Sequence, residues 1–359
     1  MKHSFKEMFC VISGIIALLG GDAFAGNGTL GLPIELISEI GSYLPLEDAK
    51  AFSGASQILR ASAPDSIKNS GRSVDLRQTS IEKIRILFNQ ETGILRKASS
   101  VTISALQLNN REFMSFLPVY MRSIRVSRSE GVSELELTHL QPFTNIRSLD
   151  LSQNRVRDVS ALSNLTNLRS LDLSVNRLGD VSALSNLKNL QYLNLKYTDV
   201  SDVSALSNLT NLRSLDLSFT LDRVIAPVRD MGALSSLTNL WYLNLECTSV
   251  RDVSALSSLT NLQSLNLRRT EVRDVSVLSN LTNLQSLNLG GTKVRDVSVL
   301  SNLAGLRSLD LSSTKFIDMS ARSKLTNLRS LDLKSTDVSD GGVLSNLTDL
   351  RSLDLSWTN

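Results

Sequence analysis

The side chains that most often carry out catalysis are scarce in this sequence. Histidine occurs only at His3 and His139, and cysteine only at Cys10 and Cys247. If the repeats described below stack, about four strand steps, on the order of 19 Å, separate Cys247 from His139, whereas a catalytic Cys–His pair needs hydrogen-bond contact. The sequence contains no phosphate-binding loop, paired-cysteine motif or His-Glu-x-x-His motif. We therefore expect a protein that binds a partner without catalysing a reaction, and neither a cofactor nor a metal ion.

The side chains best suited to binding are aromatic and fall within one window of the sequence. They are Tyr192, Tyr197, Phe219, Trp241 and Tyr242. Tyrosine and tryptophan are favoured at the centres of protein–protein interfaces, and apolar groups exposed together usually mark a contact surface. We predict that these residues bind a protein partner. The alternative is that the rings only shelter one another beside an insertion at residues 221–230.

A repeated unit positions these aromatic residues and extends to the end of the sequence. Each copy carries two leucines separated by one residue. Successive pairs lie 22 residues apart, except that the fourth and fifth pairs lie 28 residues apart. A fixed period of about 20–50 residues is the signature of a stacked repeat array. The pairs are Leu149/Leu151, Leu171/Leu173, Leu193/Leu195, Leu215/Leu217, Leu243/Leu245, Leu265/Leu267, Leu287/Leu289, Leu309/Leu311, Leu331/Leu333 and Leu353/Leu355.

One unit, residues 165–182, indicates how each copy folds. Leu171 and Leu173 are separated by one residue, so both point to the same face of a short strand. The polar residue three positions later, Asn176 here and threonine in later copies, is suited to bonding backbone groups that the turning chain buries. Asp180 is suited to capping the short helical turn that follows. One copy cannot bury its own leucines, so neighbouring copies must share a continuous core.

The pattern Leu-x-x-Leu-x-Leu-x-x-Asn/Thr, followed by Asp-Val-Ser-x-Leu, resembles the leucine-rich repeat family, and its short period is most similar to the internalin type. The resemblance covers residues 135–359. It implies an α/β solenoid with a parallel sheet on the concave side, where the protein partner would bind. Residues 70–134 are interpreted as degenerate repeats, whose candidate strands contain Val74/Leu76, Val101/Ile103 and Ile124/Val126.

The first 25 residues have the pattern of a secretory signal peptide. Lys2 and Lys6 supply a positive start, residues 9–19 are mostly apolar but too short for a comfortable membrane span, and Ala-Phe-Ala at residues 23–25 fits the small-residue cleavage rule. We expect cleavage before Gly26 and a secreted or exported protein; an uncleaved anchor is the alternative. Because 38 lysines and arginines face 35 aspartates and glutamates, the charge does not favour nucleic-acid binding.

A segment with helical periodicity, residues 30–66, lies between the signal peptide and the repeats. Its apolar residues recur at helical spacing, and proline stands where a helix would begin and where it would end. The string Leu-Pro-x-Glu-Leu, followed by isoleucine, leucine and aspartate at the family's spacings, resembles the start of an F-box. The resemblance implies a small helical domain that recruits the adaptor of a cullin-based ubiquitin ligase through Leu32, Pro33, Leu36, Ile40 and Leu44. Alternatively, the helices form an N-terminal cap for the first repeat.

These patterns support two hypotheses about function. In the first, the chain is an exported bacterial effector that reaches host cytosol, where its repeats capture a protein and its F-box-like helices recruit a ubiquitin-ligase adaptor. In the second, the chain is an internalin-like secreted or surface protein-binding module, and the helices only cap the repeats. Neither hypothesis involves nucleic acid or, after removal of the signal peptide, a membrane.

Overall fold

A computed structural model describes residues 73–81, 84, 98–128, 132–220, 231–315, 325–337 and 347–358. The predicted signal peptide, the F-box-like segment and the insertion at 221–230 lie outside these residues. The same holds for the proposed adaptor contacts Leu32, Pro33, Leu36, Ile40 and Leu44. The chain divides into two compact units, one ending at Ile146 and the other beginning at Arg147.

Across the described residues of the first unit, three parallel strands follow one another in chain order, and two short helices lie between the second and the third strand. The strands are β1 (Ser73–Asp75), β2 (Ser100–Ser104) and β3 (Ser123–Ser127). They fall where the degenerate repeats were predicted, so that prediction is confirmed for the strands. The helices α1 (Ala105–Leu108) and α2 (Arg111–Phe116) begin after the capping side chains of Ser104 and Asn110. Leu137 begins the 3₁₀ helix Leu137–Leu140.

The described residues of the second unit include ten short strands, each parallel to its neighbours. Equivalent residues pair across the sheet, so that Leu171 lies beside Leu193 and Leu193 beside Leu215. The strands are β4 (Ser148–Asp150), β5 (Ser170–Asp172), β6 (Tyr192–Asn194), β7 (Ser214–Asp216), β8 (Tyr242–Asn244), β9 (Ser264–Asn266), β10 (Ser286–Asn288), β11 (Ser308–Asp310), β12 (Ser330–Asp332) and β13 (Ser352–Asp354). The predicted parallel sheet is confirmed.

A 3₁₀ turn follows most of these strands on the opposite side of each coil. The turn begins two residues after an aspartate, whose side chain accepts a hydrogen bond from the backbone; Asp180 Oδ1, for example, lies 2.7 Å from the Ser182 nitrogen. The predicted role of the aspartate is thus confirmed in part: its side chain bonds the first residue of the turn, but the N-cap itself is the intervening residue, such as Val181. The turns are Ser160–Leu162, Ser182–Asn186, Ser204–Asn208, Gly232–Ser236, Ser254–Ser258, Ser276–Asn280 and Ser298–Asn302.

Leucines and valines fill the interior of every coil. From Leu149/Leu151 to Leu331/Leu333 both members of each leucine pair are buried. Burying a leucine contributes about 1.5–3 kcal/mol relative to leaving it exposed. Since each coil shares this core with its neighbours, the stacking interfaces supply most of the stability of the unit.

Each strand of the second unit is followed by a turn whose third residue beyond the strand has a left-handed backbone conformation. Val175, for example, has a φ of 57°, and its N–H donates to the Lys196 carbonyl of the next coil at 2.8 Å. The left-handed conformation directs this N–H along the array, so the hydrogen-bond ladder continues beyond the strand. The other members are Gln153, Tyr197, Phe219, Cys247, Arg269, Gly291, Ser313, Ser335 and Trp357.

Candidate protein-binding surface

Three columns of side chains cover the exposed face of the sheet in the second unit. Because the paired leucines point into the core, the residue before, between and after each pair points outward. The first column is built of serine in eight strands and of tyrosine in two. Its members pair in register as Ser148, Ser170, Tyr192, Ser214, Tyr242, Ser264, Ser286, Ser308, Ser330 and Ser352.

The second column contains the aspartates and asparagines that lie between the leucines. Their Oδ1 atoms accept a hydrogen bond from the backbone nitrogen two residues later, as between Asp216 and Ser218 at 2.8 Å. Some also bond along the column: Asn244 Nδ2 donates to Asp216 Oδ2 at 3.1 Å. This column therefore shapes the turn after each strand, in addition to presenting polar groups to solvent.

The third column contributes charge near the aromatic residues. Lys196, Ser218 and Glu246 are neighbours in it, each two residues beyond the end of β6, β7 and β8 respectively. The ammonium group of Lys196 lies 5.4 Å from the ring centroids of both Tyr197 and Phe219, which is within the range of a cation–π interaction. Ser218 is fully buried, and its hydroxyl makes no hydrogen bond to any residue that the structure describes.

The predicted binding residues lie in two groups at opposite ends of the strands. Tyr197 and Phe219 stack with a centroid distance of 4.5 Å at the left-handed turn position. The rings of Trp241 and Tyr242 meet edge to face, 6.3 Å apart, where β8 begins. Tyr242 lies in the same column as Tyr192. We call Tyr197 and Phe219 the turn group, and Tyr192, Trp241 and Tyr242 the strand-start group.

About five residues along the chain separate the two groups, on the order of 15 Å. Tyr197 and Phe219 come from successive coils and contact each other, whereas Trp241 and Tyr242 are adjacent in one coil. The closeness of the five residues in the sequence did not show that they lie at two different ends of the strands.

All five aromatic residues are accessible to a partner. Tyr192, Tyr197 and Trp241 are 38, 48 and 45% exposed, and Phe219 and Tyr242 are half-buried. Partial burial, with the charges of nearby carboxylates, raises the pKa of Tyr192 and of Tyr242. Both phenols therefore stay protonated at neutral pH and remain able to donate a hydrogen bond.

The titratable groups of this face do not form a reactive centre. Burial and the charge of Glu246 raise the pKa of the Cys247 thiol, so the nucleophilic thiolate is disfavoured. Within the described ranges, no group of three or more histidine, cysteine, aspartate or glutamate side chains is arranged to hold a metal ion. The same residues include no helix with the length and apolar character needed to cross a bilayer.

Sequence reasoning passed over three small residues on β7 and the coil that follows it: Ser214, Asp216 and Ser218. Ser214 is nearly buried between the two tyrosines of its column. The signal that could have revealed it is the break in the serine column, where tyrosine occurs only in the coils on either side of Ser214.

The model of the leucine-rich repeat region family matches residues 120–359. This chain is a leucine-rich repeat protein. Proteins of this family typically act as non-enzymatic scaffolds for protein interaction. A comparison with curated protein sequences found no match.

Three solved structures show how widely the fold is shared. An internalin from Listeria monocytogenes is 24% identical, with a TM-score of 0.61 over 78% of this chain and 88% of that chain. A leucine-rich repeat protein of Leptospira interrogans is 19% identical, with a TM-score of 0.53 over 80% of this chain and 85% of that chain. A plant peptide hormone receptor in complex with RGF2 is 20% identical, with a TM-score of 0.59 over 72% of this chain and 44% of that chain. These similarities establish a common solenoid of parallel strands.

Proposed function

We propose that this leucine-rich repeat protein is a non-enzymatic receptor that captures a protein partner on the sheet face of its second unit. The observation that carries the proposal is the concentration of exposed aromatic rings on coils β6 to β8. Tyr192, Tyr197, Phe219, Trp241 and Tyr242 all lie there. Other coils carry serine at the position of Tyr192 and Tyr242 and arginine or glutamine at the position of Trp241, and Trp357 is the one other aromatic residue at the position of Tyr197 and Phe219.

The physical case for capture rests on what these rings gain from a partner. Tyr197 and Trp241 leave nearly half of their surface in water, and large aromatic side chains supply most of the energy of a typical interface hot spot. Because both groups lie on adjoining coils, one partner surface of ordinary size, about 800 Å² per side, spans them.

A double substitution tests the binding surface. Partners are selected from a displayed protein library on the immobilised native chain, and their affinities are then measured for Tyr197→Ala/Trp241→Ala. We expect at least a tenfold loss for partners that use this face, since each ring is a candidate hot spot worth about 1–2 kcal/mol or more. Trp357→Ala removes an exposed tryptophan from the last described coil and serves as the control. Equal affinities for all three proteins would exclude the surface.

We further propose that residues 1–25 export the chain and that the F-box-like residues 30–66 recruit a ubiquitin-ligase adaptor. The support is the sequence string that begins at Leu32 and the order of a helical segment before leucine-rich repeats. A pull-down with purified adaptor compares the native chain with Leu36→Asp/Ile40→Asp. Loss of adaptor binding in the variant is expected; no binding to either protein counts against the F-box interpretation.

The alternative function is that of an internalin-like secreted or surface binding module whose N-terminal helices cap the array. A cap and an adaptor-binding domain differ in what they do for stability. Removing residues 26–66 should lower the unfolding midpoint of the repeats if the helices cover the first coil. It should leave that midpoint unchanged if the segment is an independent domain, so thermal unfolding of the two forms separates the hypotheses.

A further inference from the structure

We propose that the two tyrosines of the serine column, Tyr192 and Tyr242, form a slot that receives an arginine side chain of the partner, with Asp216 as its counter-ion. The proposal rests on the proposed function, because it names the chemistry that the protein-binding face recognises. It is carried by the register of three adjacent strands.

The slot is defined by strand pairing. Tyr192 pairs with Ser214, and Ser214 pairs with Tyr242. Neighbouring strands lie about 4.8 Å apart, so the two tyrosines stand roughly 9.6 Å apart at the backbone. Ser214 between them has a short, nearly buried side chain, so it does not itself extend between the two rings.

The width of the slot matches a flat cation. A group above Ser214 lies about 4.8 Å from each tyrosine strand, and a cation is attracted to an aromatic face within about 6 Å of its centroid. Guanidinium is planar and weakly hydrated, so it stacks between two rings at a lower desolvation cost than an ammonium group. These properties favour arginine over lysine.

The charge of the slot also fits a cation. Asp216 follows Ser214 on β7 by two residues, about 6.6 Å along the strand. In the second column its neighbours are the neutral Asn194 and Asn244. Its Oδ1 accepts a hydrogen bond from the Ser218 nitrogen and its Oδ2 one from Asn244, whereas a carboxylate has about four acceptor sites. Among the residues that the structure describes, no lysine or arginine forms an ion pair with Asp216.

Asp216 is the one charged side chain in the first two columns of β6, β7 and β8, which otherwise hold Tyr192, Ser214, Tyr242, Asn194 and Asn244. In the third column Lys196 and Glu246 flank Ser218 from opposite sides, and Lys196 is held over the rings of the turn group. An anionic ligand such as a phosphate would meet the Asp216 carboxylate, which disfavours nucleic acid as the occupant.

A second observation independently points to a ligand on the same coil. The hydroxyl of Ser218 is fully buried and has no hydrogen-bond partner in the described part of the chain. A buried unsatisfied hydroxyl costs about 1–3 kcal/mol. Because Ser218 lies in the outward-facing column directly beyond Asp216, a segment bound on this face is placed to supply the missing partner.

The test uses the full chain and a small probe. In a Trp357→Phe background Trp241 is the one remaining tryptophan, and it packs against Tyr242, so its fluorescence reports on the slot. N-acetyl-arginine amide is titrated beside N-acetyl-citrulline amide, which has a similar shape without the charge. Tyrosine ring-proton shifts provide a second readout. We expect the arginine probe to bind about tenfold or more tightly than the citrulline probe.

Two substitutions that preserve the fold complete the test. Tyr192→Ser restores the usual residue of the column, and Asp216→Asn introduces a residue that other coils carry at that position. Each should weaken arginine binding by about tenfold or more, whereas the matched control Asp310→Asn, between two serine-bearing coils, should not. Equal binding of arginine and citrulline, or unchanged binding in Asp216→Asn, would overturn the slot.

The two proposals fail separately. A selected partner that loses affinity on Tyr197→Ala/Trp241→Ala but not on Asp216→Asn leaves protein binding in place and removes the arginine slot. A partner whose affinity falls in Asp216→Asn, and whose binding competes with N-acetyl-arginine amide, supports both.

Discussion

At the scale of single residues, one asparagine satisfies several buried backbone groups at once. Asn176 is buried; its Oδ1 accepts from the nitrogens of Asn154 and Val156 at 3.0 and 2.8 Å. Its Nδ2 donates to the carbonyls of Leu151 and Leu173 at 3.0 and 2.8 Å. The sequence predicted that a polar residue here would bond the backbone, and these contacts confirm it.

Replacing Asn176 should lower the free energy of unfolding far more than replacing Thr198, its counterpart in the next coil. Asn176→Ala leaves two buried N–H groups without an acceptor, each worth about 1–3 kcal/mol, so we expect a loss of roughly 2–5 kcal/mol. Thr198→Ala removes one bond to the Leu195 carbonyl and should cost about 1 kcal/mol. Urea unfolding of both variants measures the difference; equal losses would contradict the role given to Asn176.

The left-handed turn position predicts opposite effects for two exchanges. Gly291 has a φ of 67°, and a Cβ there would lie 3.3 Å from Arg269 Cγ, so Gly291→Ala should destabilise the protein by about 1 kcal/mol. Val175 is a β-branched residue at a φ of 57°, and Val175→Gly should be neutral or stabilise by up to about 1 kcal/mol. Relative to the native chain, the free energy of unfolding should therefore fall in Gly291→Ala and stay equal or rise in Val175→Gly. A change in the same direction in both variants would argue against backbone strain at this position.

At the scale of the element, the aspartates before the 3₁₀ turns make stability depend on pH. Hydrogen bonds from the backbone two residues later lower the pKa of Asp180, Asp202 and Asp274 in the folded chain. Since the folded pKa lies below the unfolded one, the stabilisation is complete above the ordinary aspartate pKa of about 3.9 and is lost as pH falls through the folded value. The unfolding midpoint should thus decline below about pH 4.

Replacing these three aspartates with asparagine separates the effect of carboxyl titration from the effect of the hydrogen bond to the backbone. Asp180→Asn/Asp202→Asn/Asp274→Asn keeps an oxygen that accepts the same backbone bond but removes the titrating group. The triple variant should show a shallower decline in unfolding midpoint between pH 5 and about pH 2 than the native chain. Identical pH profiles would show that other carboxylates determine acid sensitivity.

The strands and turns could be predicted because one period governs them. Alternating leucines fix the strands, and the 22-residue step fixes their register, so Leu171 had to meet Leu193. The start of the repeats offered weaker evidence: the one-residue spacing of Leu135 and Leu137 is compatible with a strand, but Leu137 begins a 3₁₀ helix. A single pair of leucines separated by one residue is not enough to specify a strand when neighbouring residues form the hydrogen bonds of a turn.

The candidate site could be predicted less completely, for a physical reason. Exposure of Tyr192 and Trp241 follows from their places in the unit, and the sequence identified them. Their grouping depends on the distance along a strand and on the left-handed turn at Tyr197 and Phe219, which periodicity does not encode. The burial of the Ser218 hydroxyl depends on the side chains around it. The repeat pattern does not specify their arrangement either.

At the scale of the second unit, interactions run almost entirely between adjacent coils. Deleting residues 264–285 removes one whole period and joins Gln263 to Ser286, which reproduces the junction between Gln285 and Ser286. We expect the variant to fold with an unchanged circular dichroism spectrum per residue and a urea m-value lower by about a tenth, because less surface is exposed on unfolding.

An 11-residue deletion provides the contrast. Removing residues 275–285 places half a unit against a full one, so leucines meet polar positions and the shared core is interrupted. This variant should lose cooperative unfolding or fail to accumulate as folded protein. If both deletions behaved alike, nearest-neighbour stacking would not be what holds the unit together.

The serine column has a consequence for specificity. Because nearly every coil offers the same small outward residue, recognition can be relocated without redesigning the scaffold. Tyrosines at Ser264 and Ser308, with aspartate at Asn288 between them, recreate the pair and its counter-ion three coils further along, about 14 Å away. Binding sites along this surface can therefore be placed only at multiples of the distance between two coils. A chain bearing two such tyrosine pairs would select ligands whose two arginines are separated by the matching distance.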